Sequence, residues 1–291
     1  MNAISNRTFK SVLIETFIAF DNFCKKHEIR YYAAYGTLIG AVRHNGLIPW
    51  DDDIDVWMLP EDYDKFCSLK GRVDGHYDIV DNRDKNYWLL SLVKFVDIST
   101  TLWEVEHFPC ITGVYIDIFR LDECDTDQSV ELRKEYDRTS LNLTYAMMRH
   151  SKEQYLSLLF HGEIRLLFQY MKHTFYYRVR YCKFLKDYNC CLNKIAKSKG
   201  NAYVSFDGLY KEKEIFSKNY FRDTIRCSFE DVEINIPIGY HEILKQLYGD
   251  YMQLPPEEKQ VSHHSHYFLD LNRRWSIEEI KEYKGHNKYW F

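Results

Sequence analysis

Apolar side chains recur every three or four residues along several parts of the chain, and this is the spacing of one face of an α-helix. Residues 7–28 follow this pattern and are predicted to form an amphipathic helix, with apolar positions at Val12, Leu13, Phe17, Phe20 and Phe23. Similar helices are predicted for residues 60–71, where Pro60 lies in the first turn, and for a segment that begins at Tyr240 and ends near Gly249. Residues 126–198 are helical in pattern almost throughout.

Shorter apolar runs interrupted by alternating polar residues predict β-strands. Residues 37–43 separate the first two of these runs and are predicted to form a short helix that begins at Gly36-Thr37. Within residues 53–58 the alternation places Asp53 and Asp55 on one face and the apolar residues on the other. The predicted strands are 29–36, 53–58, 77–81, 92–100, 113–124, 201–208 and 226–240.

The order of these elements indicates an α+β fold, with a mixed-sheet core flanked by helices and a helical insertion. Residues 1–125 are predicted to form the core and residues 126–200 the helical insertion. Residues 201–291 then form a C-terminal segment that completes the core. The sequence shows no internal repeat and no low-complexity linker.

Composition narrows the class of protein. The chain has 291 residues, 45% of them hydrophobic, and a net charge of -4, which argues against a nucleic-acid partner. Its eight cysteines form no CxxC pair, and no apolar run is long enough to cross a bilayer. The N-terminus reads as an amphipathic helix rather than a signal peptide, so a reduced, cytoplasmic protein is expected.

An unusual run of acids, "DDDID" at residues 51–55, follows a tryptophan inside an apolar stretch. Asp53 and Asp55 share one face of their strand, and Asp117 lies between two isoleucines in another. Carboxylates gathered on adjacent strands hold hard cations, so these three are predicted to bind Mg²⁺, with Mn²⁺ as an alternative. Asp117 is also a candidate base, and Asp51 and Asp52 lie in the approach loop. The alternatives are a solvated acidic turn or a calcium site.

Residues that contact phosphate are predicted around this cluster. Gly36 and Thr37 lie at a helix start, where backbone N–H groups hold anions, although Thr37 is also an ordinary helix cap. Arg43 has the planar fork that pairs with phosphate, and its alternative is a surface charge. Lys94 lies in a strand pattern from which it would face a diphosphate, and its alternative is a solvated edge.

The combination of Gly-Thr, Asp-x-Asp and a later strand acid resembles the polymerase-β-like nucleotidyltransferase superfamily. A closer resemblance is carried by "YGTLIGAVRHNGLIPWDDDIDVWM", "GVYIDIFRLDEC" and "IPIGYHEILKQLYGDYMQLPPEEKQVSHH". With these segments the chain resembles the LicD family, which includes bacterial phosphocholine transferases and is similar to the fukutin group. The resemblance runs from about residue 25 to residue 266, with a variable helical middle.

The resemblance implies a nucleotidyltransferase-like core in which residues 201–291 complete the donor site. It implies that a phosphate-linked head group, phosphocholine first, passes from a CDP-activated donor to a hydroxyl of a cell-surface glycan or a lipid-linked glycan. Lipopolysaccharide, capsule and teichoic acid are acceptors of this kind. CDP-ribitol and CDP-glycerol are alternative donors, and a true nucleotidyltransferase or a non-catalytic calcium- or glycan-binding module are alternative functions.

Three further groups of residues are candidates for binding. Trp50, Trp57, Trp88 and Trp103 are candidates for a wall around a choline ammonium, although each is better explained by packing. The histidines at 263, 264 and 266 could form a metal cluster, but contact of one of them with donor phosphate is favoured, and His264 is the candidate. The basic, aromatic helix 160–186 would make peripheral contact with the inner face of the membrane, but a solvated helix packed by its aromatics is the favoured alternative.

Overall fold

The computed structural model describes residues 8–81, 92–106, 110–148, 152–261 and 266–285. Its helices are α1 (Phe9–Lys26), α2 (Tyr35–Ile39), α3 (Pro60–Ser68), α4 (Thr126–Met147), α5 (Lys152–Phe160), α6 (Ile164–Val179), α7 (Tyr181–Lys197), α8 (Tyr240–Tyr248) and α9 (Ile277–Tyr283). Its strands are β1 (Tyr32–Ala33), β2 (Asp55–Met58), β3 (Tyr77–Val80), β4 (Val93–Asp97), β5 (Thr101–Trp103), β6 (Tyr115–Cys124), β7 (Ala202–Ser205), β8 (Ile215–Ser217), β9 (Thr224–Phe229), β10 (Val232–Pro237) and β11 (Phe268–Asp270).

The central sheet is built around β6, the longest strand. Its seven strands run in the order β1-β2-β6-β4-β3, with β7 and β8 added beside the second half of β6. The pairing of β2 with β6 is parallel, and the other pairings of this sheet are antiparallel. A strand after the helical insertion, β7, therefore extends the sheet formed by residues that precede the insertion.

An aromatic core holds α1 and α3 against one face of this sheet. Phe20 of α1 contacts Tyr31, Phe66 of α3 and Phe95 of β4 at ring-centroid distances of 4.9, 5.9 and 5.6 Å. All three contacts are edge-to-face, a geometry that aromatic quadrupoles favour. The helix begins where a capping box at Thr8 and Ser11 satisfies its first backbone N–H groups.

The helical insertion forms a second, smaller core. Tyr136 of α4 and Tyr188 of α7 pack against Phe206, which follows β7. In contrast, α6 has no buried side chain. No helix in the ranges described above is long and apolar enough to cross a bilayer, and all eight cysteines, which lie within those ranges, are free thiols.

The predicted helices and most of the predicted strands are confirmed, and the chain is a mixed α/β protein. Two boundaries near the acidic run were wrong. The strand predicted for residues 29–36 is only Tyr32–Ala33, because α2 already begins at Tyr35 and takes in Gly36. Asp53 precedes β2, which begins at Asp55. The division at residues 125 and 200 stays a prediction.

The aromatic core generates a stability prediction. Phe20→Ala is expected to lower the free energy of unfolding by about 3–5 kcal/mol, because it leaves a cavity among packed rings. Ile18→Ala is the matched control, since Ile18 lies on the same helix and is 38% exposed; it should cost less than about 1 kcal/mol. Urea unfolding followed by circular dichroism measures both values. Equal losses would contradict this description of the core.

Candidate functional site

Three charged residues form a row across the centre of the sheet. Asp117 of β6 is the register partner of Asp55 on β2 and also of Lys94 on β4. Register partners on neighbouring strands project from the same face, so the three side chains lie side by side. The positions one residue further along, Val56 and Ile118, are buried and belong to the main core. The alternation that buries the core residues therefore directs the acids to the opposite face.

Lys94 and Asp117 form a buried ion pair within this row. The Lys94 Nζ lies 2.8 Å from Asp117 Oδ1, and the two residues are 6% and 9% exposed. The same ammonium lies 3.2 Å from the centre of the Tyr115 ring and 4.0 Å from a carboxylate oxygen of Glu104. The structure thus excludes the solvated-edge alternative for Lys94 and places its charge inside the acidic site.

The neighbouring carboxylates repel one another. Burial raises the pKa of Asp53 to about 8, and the charges of Asp51 and Asp117 add to the shift. Burial also raises the pKa of Asp55 well above its usual range, with further contributions from Asp53 and Asp117. Because charges interact this strongly only at short range, the three predicted acids lie together. Their ionised forms are costly unless a cation is present.

The first turn of α2 lies against the acidic loop. Thr37 Oγ1 accepts a hydrogen bond from the backbone N–H of Asp55 at 2.9 Å. A Cβ at Gly36 would collide with Asp51 Oδ2, so a larger residue there would force the Asp51 carboxylate to move. The preceding residue, Tyr35, has a left-handed φ of 44°, a strained conformation for a bulky side chain. Gly36 and Thr37, which were predicted to lie around the acidic cluster, therefore do lie next to the acids.

Arg43 makes hydrogen bonds within the protein, whereas the alternative interpretation from the sequence was a surface charge. Its guanidinium donates to the backbone carbonyl of Tyr251 at 2.7 Å and to His44 Nε2 at 2.9 Å. These contacts connect the helical segment after α2 to the chain that follows α8. The predicted contact between Arg43 and phosphate stays a prediction.

The C-terminal segment also approaches the acidic loop through His266. Its Nε2 lies 3.8 Å from a carboxylate oxygen of Asp52. His263 and His264 lie outside the described residues, so the predicted contact between His264 and donor phosphate stays a prediction.

Three tyrosines form a cluster beside the acids that the sequence did not indicate. The rings of Tyr35 and Tyr210 stack at 6.1 Å, and those of Tyr210 and Tyr248 meet edge-on at 5.0 Å. Burial raises the pKa of Tyr210 and of Tyr248, and the charge of Asp55 adds to both shifts. This tyrosine cluster therefore lies within electrostatic range of the acidic row. Its members come from distant parts of the chain, and no local motif links them.

Glu214 holds the tyrosine cluster in place. It is fully buried and accepts a hydrogen bond from the Tyr35 hydroxyl at 2.9 Å and another from the backbone N–H of Tyr210. Arg133 of the helical insertion lies 4.0 Å from the same carboxylate. The insertion is therefore connected to the site through an ionic contact.

Two of the four tryptophan candidates are explained by packing. Trp57 and Trp103 are fully buried, so neither lines an open site. Trp50 is half-buried with its ring 6.3 Å from that of His44, and Trp88 lies outside the described residues.

Asp122 is a further acid on the same strand as Asp117. It lies within β6 and accepts a hydrogen bond from Arg120 at 2.7 Å. Asp122 lies five residues after Asp117 on β6. Side chains an odd number of residues apart on a strand project from opposite faces, so Asp122 projects from the other face of β6. It is therefore separate from the acidic row.

A divalent cation suits the chemistry of the row. Carboxylate oxygens are the ligands that Mg²⁺ prefers, and the mutual repulsion of Asp53, Asp55 and Asp117 is the electrostatic condition that a bound cation relieves. With the side chains as they stand, no three acidic, histidine or cysteine groups among the described residues are arranged as a metal centre. The ammonium of Lys94 already offsets part of the charge.

Comparison with known proteins places this site in a family. Residues 28–131, which include the whole row, match the family described as LicD/FKTN/FKRP, nucleotidyltransferase domain. The lipopolysaccharide cholinephosphotransferase LicD of Haemophilus influenzae is 29% identical over 272 residues, covering 91% of this chain and 97% of that protein. The ribitol 5-phosphate transferase FKRP of Homo sapiens is 40% identical over 55 residues, which are 19% of this chain and 11% of that protein.

Residues 28–131 therefore match the nucleotidyltransferase domain of the LicD/FKTN/FKRP family, and the chain is similar to a bacterial LicD protein over most of its length. It is an enzyme of the LicD phosphotransferase type, and the match to the bacterial relative extends over the helical insertion and the C-terminal segment.

The buried ion pair generates a prediction about stability. Lys94→Met is expected to lower the free energy of unfolding by about 3 kcal/mol or more, because it leaves the Asp117 carboxylate buried without its ammonium partner. Adding Asp117→Asn should recover part of this loss, since the buried charge is then absent. A double-mutant cycle of urea unfolding measures the coupling.

Lys134→Met is the matched control for Lys94→Met. Lys134 forms an exposed pair with Glu131 at 3.3 Å, and removing such a pair costs less than about 1 kcal/mol. If Lys94→Met cost no more than this control, the pair would not carry the energetic role assigned to it.

Proposed function

We propose that this enzyme transfers phosphocholine from CDP-choline to a hydroxyl group of a cell-surface glycan, in a reaction that depends on Mg²⁺. The observation that carries the proposal is the in-register row of Asp55, Asp117 and Lys94 within the family domain. Similarity to a lipopolysaccharide cholinephosphotransferase over nearly the whole chain supports the choice of head group. The mixed sheet with its acids on one face supports a nucleotidyltransferase-like core.

In this proposal Asp53, Asp55 and Asp117 hold Mg²⁺, and Mn²⁺ is the alternative. A cation bound there would neutralise the donor diphosphate and the charge that develops on the departing nucleotide. The carboxylates would have to turn toward a common point, because their present arrangement is not that of a metal centre. Asp117 would keep one oxygen on the Lys94 ammonium, which fixes its orientation.

The chain's own residues position the reacting groups. The oxygen of the acceptor hydroxyl attacks the distal phosphorus of the donor, the bond from that phosphorus to the bridging oxygen breaks, and CMP leaves. An acidic side chain, with Asp117 as the first candidate, takes the hydroxyl proton. Lys94, Gly36 and Thr37 are proposed to lie along the diphosphate, where fixed charges and dipoles favour the transition state. Arg43 and His264 remain candidates for further phosphate contacts.

The tyrosine cluster supports the proposal that the transferred head group carries a positive charge. Aromatic faces attract quaternary ammonium groups, and neighbouring carboxylates strengthen that attraction. Tyr210 is 37% exposed and thus accessible to a ligand. Local similarity to a ribitol 5-phosphate transferase favours CDP-ribitol or CDP-glycerol as the second candidate donor. Attack at the phosphorus attached to the nucleoside would instead make the enzyme a nucleotidyltransferase.

The proposed function predicts a loss of turnover in Asp55→Asn. The protein is incubated with Mg²⁺, a glycan acceptor and CDP-choline, CDP-ribitol or CDP-glycerol in turn, and CMP release is measured. The wild-type protein should release CMP fastest from CDP-choline, and Asp55→Asn should reduce turnover by about 100-fold or more while thermal unfolding stays cooperative.

Asp64→Asn is the matched control for Asp55→Asn, because Asp64 lies on α3 and pairs with Arg120, away from the acidic row. It should leave turnover near the wild-type value. Near-normal turnover in Asp55→Asn would refute the role of the row. Release of pyrophosphate from CTP, without CMP release from any of the three donors, would support the nucleotidyltransferase alternative.

The tyrosine cluster predicts a change in donor preference. Tyr210→Leu is expected to reduce the ratio of kcat/KM for CDP-choline to that for CDP-glycerol by roughly 5- to 30-fold, because an apolar side chain lacks the ring quadrupole. Tyr283→Leu replaces a tyrosine that is exposed on α9 and should leave the ratio unchanged. An equal fall for both donors in Tyr210→Leu would assign the tyrosine to packing.

A further inference from the structure

The outer helix of the insertion, α6, presents a continuous apolar stripe to solvent. Its members recur at intervals of four and three residues, so they share one face of the helix. Each is more than half exposed, and the two aromatic members, Phe168 and Phe175, are 66% and 72% exposed. The stripe consists of Ile164, Phe168, Met171, Phe175 and Val179.

The orientation of α6 is fixed by its other side. His173 and Tyr177 contact the ring of Tyr145 on α4 at centroid distances of 5.1 and 5.2 Å. These contacts hold the helix while the stripe points away from the rest of the insertion. Tyr177 therefore packs as the favoured sequence interpretation, a solvated helix packed by its aromatics, expects, whereas Phe168 and Phe175 of the stripe are exposed.

The preceding helix extends the same apolar surface. Leu156, Leu159 and Phe160 at the end of α5 are exposed, and Phe160 most of all. Almost half of the exposed large apolar side chains of the described residues lie within residues 156–179. A soluble protein seldom gathers so many on two adjacent helices unless the surface binds something.

The charges around the stripe are of one sign. α6 contains Arg165, Lys172 and Arg178 and no acidic residue, whereas the whole chain has a net charge of -4. On the helical wheel Arg165 and Lys172 border one side of the stripe and Arg178 borders the other. Long basic side chains at the edge of an apolar face reach lipid phosphates while their stems stay among the apolar groups.

We propose that α6 and the end of α5 dock in the plane of an anionic phospholipid surface, with the apolar stripe inserted among the lipid chains. The attraction between a basic helix and an anionic lipid surface favours this occupant. A second copy of the chain fits less well, because two such faces would bring like charges together. The inference uses the exposure and charge of α6 alone and does not depend on the proposed reaction.

Co-sedimentation with lipid vesicles tests this proposal on the full chain without substrate. The vesicles consist either of phosphatidylcholine alone or of phosphatidylcholine with 30% phosphatidylglycerol, a fraction of about one third chosen to give a strongly anionic surface. We expect binding to the anionic vesicles that weakens as salt is added. The double variant Phe168→Ser/Phe175→Ser should bind roughly tenfold more weakly or worse, and Arg165→Gln/Lys172→Gln should lose most of the preference for anionic lipid.

Matched controls use exposed residues on another face of the insertion. Leu141→Ser on α4 is the control for the apolar change, and Lys134→Gln on the same helix is the control for the charge change; both should bind as the wild type does. Circular dichroism confirms that each variant is folded.

Three results would overturn the proposal. The first is no binding of the wild-type protein to anionic vesicles even at low salt. The second is equal binding of Phe168→Ser/Phe175→Ser and wild type. The third is that the wild-type protein does not bind vesicles and is a dimer in solution, whereas Phe168→Ser/Phe175→Ser is a monomer. That result would show that the stripe binds a second copy of the chain.

Discussion

The repulsion among closely spaced carboxylates is the constraint on which the site depends. Asp117 is buried, Asp53 and Asp55 are half-buried, and their partial burial and the charges of their neighbours raise the pKa values of Asp53 and Asp55. Within the chain the compensation comes from Lys94, which reaches Asp117 from the adjacent strand. One ammonium offsets only part of the negative charge, and this deficit is the physical reason to expect a cation when an anionic diphosphate binds.

The rest of the fold supports that row. An aromatic core on the opposite face keeps β2, β6 and β4 in register, so that Asp55, Asp117 and Lys94 stay side by side. Parts of the chain after the insertion then reach the site. Arg43 binds a carbonyl at Tyr251, and the carboxylate of Glu214 fixes the tyrosine cluster. Asp55 and Asp117 therefore lie on neighbouring strands, and two of the three tyrosines beside them, Tyr210 and Tyr248, come from later segments.

The sequence predicted the strand positions of Asp55 and Asp117 but showed no sign of the tyrosines beside them. Alternation and a specific motif placed Asp55 and Asp117 on strands, and the register of β2 with β6 makes them neighbours. Tyr210 and Tyr248 carry no local signal, because only the tertiary fold brings them to Tyr35. The three-residue strands β5, β8 and β11 were missed, since runs so short show no clear alternation. For Trp57 and Trp103 the interpretation as packing residues is confirmed, because burial is the commoner use of large apolar rings.

The most direct test of the central claim is the affinity of the acidic row for a divalent cation. Mn²⁺ has an electron paramagnetic resonance signal that falls when the ion is bound, so free Mn²⁺ can be titrated with protein in the presence of CMP. The account predicts one Mn²⁺ site in the wild-type protein, and a loss of affinity by at least an order of magnitude in both Asp55→Asn and Asp117→Asn. Unchanged Mn²⁺ affinity in both variants would contradict it.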